Sequence, residues 1–398
     1  MKLLPGVALK RNLLRSRGMS GNENLISQPG LTCCGRADDL RASSGRCTMT
    51  TDIRKGKLGR RDVLRLGLGA GALSLAAGRS RAQATAKPDV VRIGYLTAAR
   101  AWVIGKTDGS FDKALGTRIE WVPFPSGGPA LSLLAAKQID FAIFGNTPIV
   151  AGLSRKLPIQ ILGSPEIVAT SERLVAKPGL ASLKDLEGKR IAVAPSSTMA
   201  FALEALIRIN KLDASKIKRL PLNQPDTIAA WKRGDIDATY INGPFWAELL
   251  ADGGRQLLVS EQLQPAGVYV WNSAVVRAEF AERYPDSVIA WLQTVQTQFD
   301  RYRADPEGVS RILAKDFGAP FEAVRDTLAG LRYPTFHDQL GPKYWGDGPG
   351  AAKDAPLIKA LGDAAAFLAE TGEIKRDDVP ASFVPAVNYA LLRRAFRS

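Results

Sequence analysis

Three short segments carry residue types able to do chemistry. They are Phe124-Pro-Ser-Gly-Gly-Pro-Ala130, Phe144-Gly-Asn-Thr-Pro148 and Ala194-Pro-Ser-Ser-Thr-Met199. Each follows an apolar strand-like run and opens an apolar helix-like run. A helix N-terminus presents free backbone N–H groups and about half a positive charge, so it attracts anions. Ser and Thr hydroxyls add donors, and glycine lets the backbone approach a ligand closely. The same residue types also serve as plain helix N-caps, and for any one segment that role suffices. Three in one chain point to an anion site. None has the G-x-x-x-x-G-K-[ST] or G-x-G-x-x-G spacing, so nucleotide binding is not supported.

Catalysis finds little material. His337 is the sole histidine, and Cys33, Cys34 and Cys47 all lie near the N-terminus, so no His/Cys metal cluster is expected. No G-x-S-x-G elbow occurs. The acid inventory for a cleft enzyme is little more than Glu166, Glu172 and Tyr240. Asp140 and Asp237, each after an isoleucine, are expected to cap turns. No cofactor is expected.

The elements that must position these segments repeat. Leu134-Ala-Ala-Lys-Gln-Ile-Asp-Phe-Ala-Ile-Phe-Gly-Asn-Thr-Pro148 returns about a hundred residues later as Ile228-Ala-Ala-Trp-Lys-Arg-Gly-Asp-Ile-Asp-Ala-Thr-Tyr-Ile-Asn-Gly-Pro244. Both read as helix end, Ile-Asp turn, short apolar strand, small-residue loop and a new helix start. Strand patterns at 90–95, 118–123, 140–144, 159–162, 190–193, 219–222 and 237–241 alternate with helix patterns at 130–137, 147–155, 199–210 and 226–233. That alternation predicts a doubly wound α/β fold. Beyond about Val276 the pattern turns helical, at 279–284, 287–304, 306–317 and 357–371. One unit used twice, in a chain too long for one core, predicts two lobes facing each other across a cleft. Aromatic residues Trp102, Tyr240, Phe245, Trp246, Tyr269 and Trp271 fall near the loops, and some could wall the cleft.

Charge separates a leader from the rest. Residues 1–84 hold 16 Lys+Arg against 5 Asp+Glu, so most of the +15 net charge sits there. The remainder is close to balanced, which argues against nucleic-acid binding. Gly59-Arg60-Arg61-Asp62-Val63-Leu64 resembles a twin-arginine export motif, an apolar run follows to Ala77, and Ala82-Gln83-Ala84 supplies a cleavage site. The run is too short for a membrane span. Residues 1–48 are expected to be an over-long start, with Met49 the natural alternative. The product is expected to be exported to the periplasm and cleaved near Ala84.

On Phe124-Pro-Ser-Gly-Gly, Gln138 to Pro148, Asp185-Leu-Glu-Gly-Lys-Arg-Ile-Ala-Val193, Ser197-Thr198 and Ile228 to Asp237, the chain resembles the periplasmic substrate-binding proteins of ABC importers. It is most similar to their taurine and aliphatic-sulfonate branch, within a nitrate, sulfonate and thiamine-precursor superfamily. The resemblance implies a type II two-lobe binding protein, residues 85–172 and 273–398 forming one lobe and 173–272 the other. It places the crossings near Ser171–Leu174 and Ala266–Asn272. It implies a small anionic ligand, an ABC permease partner, a monomer and no catalysis. Carried over, Ser126, Gly127, Asn146, Thr147, Ser197 and Thr198 become anion ligands, with Tyr240 nearby.

Three positions depart from the taurine-binding pattern. Arg100 stands where an acidic residue able to hold an ammonium is favoured, Asn272 where an Asp is expected, and Asn242 where an aromatic is common. An ammonium buried against Arg100 would cost several kcal/mol. The expected ligand is therefore a sulfonate without an amine, or one bearing a second anionic or polar group, and not taurine itself. Nitrate, an aromatic sulfonate, a thiamine-type pyrimidine, or an exported enzyme on the same fold are the alternatives.

Overall fold

A computed structural model describes residues 87–397. The leader, its twin-arginine motif, the cleavage site, the cysteines and the alternative start lie outside the described residues.

The chain builds two mixed sheets. β1 (Val90–Leu96), β2 (Arg118–Phe124), β3 (Phe141–Gly145), β4 (Ile159–Ile161) and β5 (Glu166–Val168) belong to the larger one. β6 (Glu172–Ala176), β7 (Arg190–Val193), β8 (Lys218–Pro221), β9 (Ala238–Asn242) and β10 (Arg255–Val259) form the smaller. β11 (Trp271–Arg277) and β12 (Leu331–Arg332) return to the larger. The larger sheet runs β2-β1-β3-β11-β5-β12 and the smaller runs β8-β7-β9-β6-β10. In each, three parallel strands are followed by an antiparallel fourth and fifth. The repeated unit of the sequence supplies the third parallel strand of each sheet, β3 and β9, with the helix end before it. The chain changes sheet between Val168 and Glu172 and again between Val259 and Trp271, so the predicted crossing segments run into β6 and β11.

The strongly periodic helices form where expected, as Gly127–Ala135, Asn146–Ser154, Thr198–Ile209, Gln224–Arg233, Pro285–Ala304, Pro306–Phe317 and Pro356–Glu370. The central strand β11 was not foreseen. Six of its seven residues are buried, and polar Asn272 and Ser273 break the apolar run that marks a buried strand.

Asp140 and Asp237 do more than cap turns. The Asp140 carboxylate accepts the Arg92 N–H at 2.8 Å, and the Asp140 N–H donates to the Arg92 carbonyl at 2.8 Å. Asp237 repeats both bonds with Arg190, again at 2.8 Å each. The two carboxylates thereby clip β3 to β1 and β9 to β7. Asp140 is buried and also accepts Nη2 of Arg277 at 2.6 Å. Asp237 sits at a more open edge and receives the Arg190 side chain at 2.9 Å.

Asp140→Ala takes the closer partner from the largely buried Arg277 guanidinium, leaving Glu279 at 3.4 Å, and strands the Arg92 N–H, so it is expected to cost about 3 kcal/mol. Asp237→Ala is expected to cost about 1–2 kcal/mol, its partners being nearer water. Urea unfolding of the two variants checks the order.

Candidate functional site

The two sheets present strand ends at one pocket. Register puts Asn272 of β11 beside Gly145 of β3 on one side and Glu166 of β5 on the other. In the smaller sheet, Glu172 of β6 lies beside Asn242 of β9. Four helices start around the same space, at Gly127, Asn146, Thr198 and Gln224. The pocket is lined by polar Arg100, Ser126, Glu172, Ser197, Thr198, Gln224, Asn242 and Asn272, with Leu96, Phe144, Pro148 and Met199 as apolar wall. It encloses about 30 Å³, room for about two water molecules.

Seven of the ten residues singled out in the sequence line this pocket: Arg100, Ser126, Gly127, Ser197, Thr198, Asn242 and Asn272. Asn146, Thr147 and Tyr240 do not. The Asn146 side chain accepts the Trp271 N–H at 3.3 Å, which ties β11 to the Asn146 helix. Thr147 is buried and its hydroxyl has no hydrogen-bond partner among the described residues. Tyr240 is buried behind the pocket, 2.9 Å from the Ser260 hydroxyl.

The hydroxyls divide into two roles. Ser197 caps its own helix, accepting from Ala200 N–H at 3.1 Å. Ser126 precedes the Gly127 helix but makes no side-chain cap bond. Its hydroxyl instead reaches Asn223, at the start of the Gln224 helix, at 3.4 Å. That contact joins elements of the two sheets, and so does the approach of Thr198 to Gly145, where an added methyl would collide with Thr198 Cγ2.

Arg100 is not a free cation. It is buried, with Nε 3.4 Å from Oε2 of the fully buried Glu166 and Nη1 donating to the Ala99 carbonyl at 2.8 Å. Asn272 donates to the same Glu166 oxygen at 2.7 Å. Burial pushes the Glu166 carboxyl upward, and Arg100 and Asn272 oppose that. The departures at 100 and 272 therefore act together, as one charge pair with an amide support.

Glu172 is the residue that the sequence inventory held only as a possible enzyme acid. It lines the pocket and is 3% exposed. Its carboxyl accepts from Thr198 Oγ1 at 2.7 Å and from Ser260 Oγ at 3.4 Å. No cation lies within ion-pair distance of it among the described residues. Burial lifts its pKa to about 7, with Thr198, Arg100 and Ser260 only partly offsetting. Glu172 was not among the ten residues singled out as ligand-binding, and β6 delivers its carboxyl to the pocket.

The aromatic wall is also corrected. Trp102 packs against Phe111, Trp121 and Trp291 in the core. Trp246 stacks under Arg173 at 3.5 Å and donates to the Ser171 carbonyl. Trp271 donates to Ser273 at 3.0 Å. Tyr269 is 47% exposed on a separate groove, and Phe245 lines another. Phe144 is the aromatic that reaches the pocket, and Gln224 and Met199 join it from helix starts. His337 is far from this chemistry, its Nδ1 3.2 Å from the Phe396 carbonyl at the surface.

Because the folded state holds the Glu172 proton more tightly than the usual 4.5, this residue favours the fold below about pH 4.5 and opposes it as pH rises through about 7. Glu172→Gln is expected to raise stability at pH 8 by on the order of 3 kcal/mol and to change little at pH 4. Denaturant midpoints across that range check the sign.

Comparison with known proteins places this architecture. The NMT1-like family matches residues 84–312. The taurine-binding periplasmic protein of Escherichia coli K12 is 31% identical over 291 residues, covering 71% of this chain and 87% of the relative. The alkanesulfonate-binding protein SsuA from Xanthomonas axonopodis pv. citri, solved bound to MOPS, superposes with a TM-score of 0.64 at 24% identity, covering 76% of this chain and 99% of that one. The desulfurization enzyme DSZB shares the fold at a TM-score of 0.54 and 16% identity, covering 77% of this chain and 99% of that one. With two mixed sheets meeting at a polar pocket and these relatives, the chain belongs to the NMT1-like family of periplasmic substrate-binding proteins, in its taurine and aliphatic-sulfonate branch.

Proposed function

We propose that this protein is an exported receptor that closes over a small organosulfonate without an amine and delivers it to an ABC permease. The observation that carries the reading is the buried Arg100 guanidinium in a pocket rimmed by the Gly127 and Thr198 helix starts. A sulfonate is a permanent anion with three acceptor oxygens. Helix N–H groups and the guanidinium offer the matching donors, and the Ser126 hydroxyl, which makes no cap bond, joins them by turning its proton from Asn223. The sulfonate-binding relatives support the ligand class.

In this reading residues 85–172 and 273–398 form one lobe and 173–272 the other. The contact of Ser126 with Asn223 and the packing of Thr198 on Gly145 belong to a closed state. The small pocket volume means that the walls part to admit ligand, a hinge motion driven by tighter binding to the closed form. An aromatic sulfonate or a pyrimidine would need more stacking surface than Phe144 supplies. Nitrate would leave the apolar wall without a partner. An enzyme would consume its ligand, and mass spectrometry of ligand recovered after incubation separates that case.

Thermal shift of residues 85–398 against taurine, isethionate, ethanesulfonate, sulfoacetate, benzenesulfonate, nitrate and sulfate tests the class. A ligand at about 100 times its Kd is expected to add about 2.7 kcal/mol. Amine-free sulfonates are expected to shift the protein more than taurine does. Taurine as the tightest ligand keeps the family and discards the amine-free specificity. Silence across the panel discards the sulfonate reading.

Two variants probe the geometry. Ser126→Ala is expected to weaken sulfonate binding about tenfold, the worth of one charge-assisted hydrogen bond. Gly145→Ala is expected to fold normally and bind at least as weakly, because its methyl props the Thr198 wall open. Calorimetric titration with ethanesulfonate reads both.

A further inference from the structure

The sulfonate reading leaves one group in the pocket without a role. Glu172 is buried on β6 and touches the ligand space. Its contacts are the hydroxyls of Thr198 and Ser260, both neutral donors. The nearby cation, Arg100, is engaged by Glu166. A permanent sulfonate placed here meets a carboxyl group at close range, and two like charges in a water-poor pocket do not both persist. The sulfonate cannot take a proton at neutral pH, whereas the carboxyl can.

The geometry points to Glu172 as the residue that sets the charge type of the ligand: it enters the complex as a neutral acid and donates its proton to a sulfonate oxygen. Capture of an amine-free sulfonate from solution where this carboxyl is ionised therefore takes up a proton from solvent. The inference rests on the sulfonate reading above.

The surroundings contain no second group able to absorb the charge. From β9 come Asn242, beside Glu172 in register, and Tyr240, whose hydroxyl burial keeps protonated. The Thr198 helix and the Ser260 turn contribute hydroxyls. The larger sheet contributes the Glu166 carboxylate, already held by Arg100 and Asn272. Arg173, the next residue on β6, lies over the Trp246 ring. Glu172 already holds its proton up to about pH 7, so little energy is needed to complete the protonation at neutral pH. A ligand carrying an ammonium would do the opposite, favouring the carboxylate and expelling the proton.

Titration calorimetry of the purified protein with ethanesulfonate and with taurine tests this, at about pH 6 and about pH 8, each in two buffers of different ionisation heat. Ethanesulfonate is expected to bind about tenfold more weakly at the higher pH, with close to one proton taken up there. In Glu172→Gln, whose amide stands in for the neutral acid, the pH dependence and the buffer dependence are both expected to vanish. Uptake by the wild-type protein is informative even if that variant does not fold. Ethanesulfonate binding with no proton uptake overturns the role of Glu172 and leaves the sulfonate reading intact. Tighter taurine binding with proton release also overturns it, making Glu172 an ammonium partner. No heat from either sulfonate at either pH removes the sulfonate reading itself.

Discussion

The doubled Asp clip is the constraint on which the rest depends. Each clip ties the start of a sheet's third strand to the first strand through two bonds, to the backbone N–H and C=O of a single arginine. With that offset set, the far ends of β3 and β9 fall beside β11 and β6 at fixed register. Gly145 meets Asn272, and Asn242 meets Glu172. A slip by one residue would turn those side chains to the opposite face. The pocket is thus a consequence of two backbone clips set well below it, at the opposite ends of the strands.

The buried charges follow the same logic. Arg100 alone in this interior would carry a large desolvation cost. Glu166 and Asn272 come from neighbouring strands of the same sheet and meet it as a unit, one pairing the charge and the other holding the carboxylate. The cleft therefore contains a guanidinium whose field is partly spent within the protein. What remains for an anion is the combination of that cation, the helix starts and the hydroxyls. Glu172 balances this from the other sheet, so the electrostatics of the pocket exist only when the two sheets face each other.

Much of the fold was legible. Apolar periodicity marked the parallel strands, and Gly234, at a φ of +76°, ends the helix before the second Asp clip. Lys137 takes a φ of +57° at the matching place in the first copy, which made that copy the weaker signal. Strand β11 escaped because buried polar Asn272 and Ser273 interrupt its apolar run, whereas the equally buried β3 and β9 were marked by the repeated Ile-Asp turn before them. The short strand β5 escaped with it, since buried Glu166 leaves it no apolar run, and so did β10, whose first two residues are exposed Arg255 and Gln256.

Sequence by itself determined the repeated α/β unit, the three hydroxylic loops and the acidic residues available to a cleft, because these rest on local patterning of neighbouring residues. Tertiary structure alone decided what those groups experience. Arg100, Glu166, Glu172 and Asn272 lie on separate segments; sheet register sets Asn272 beside Glu166, the turn after β1 brings Arg100 to that carboxylate, and Glu172 is left facing the ligand space. The aromatic residues show the same division: their nearness to the loops in the chain said nothing about direction, and strand pleat and helix packing turned them into the core or out to the surface. Charge and solvation depend on distance in space, which local sequence does not encode.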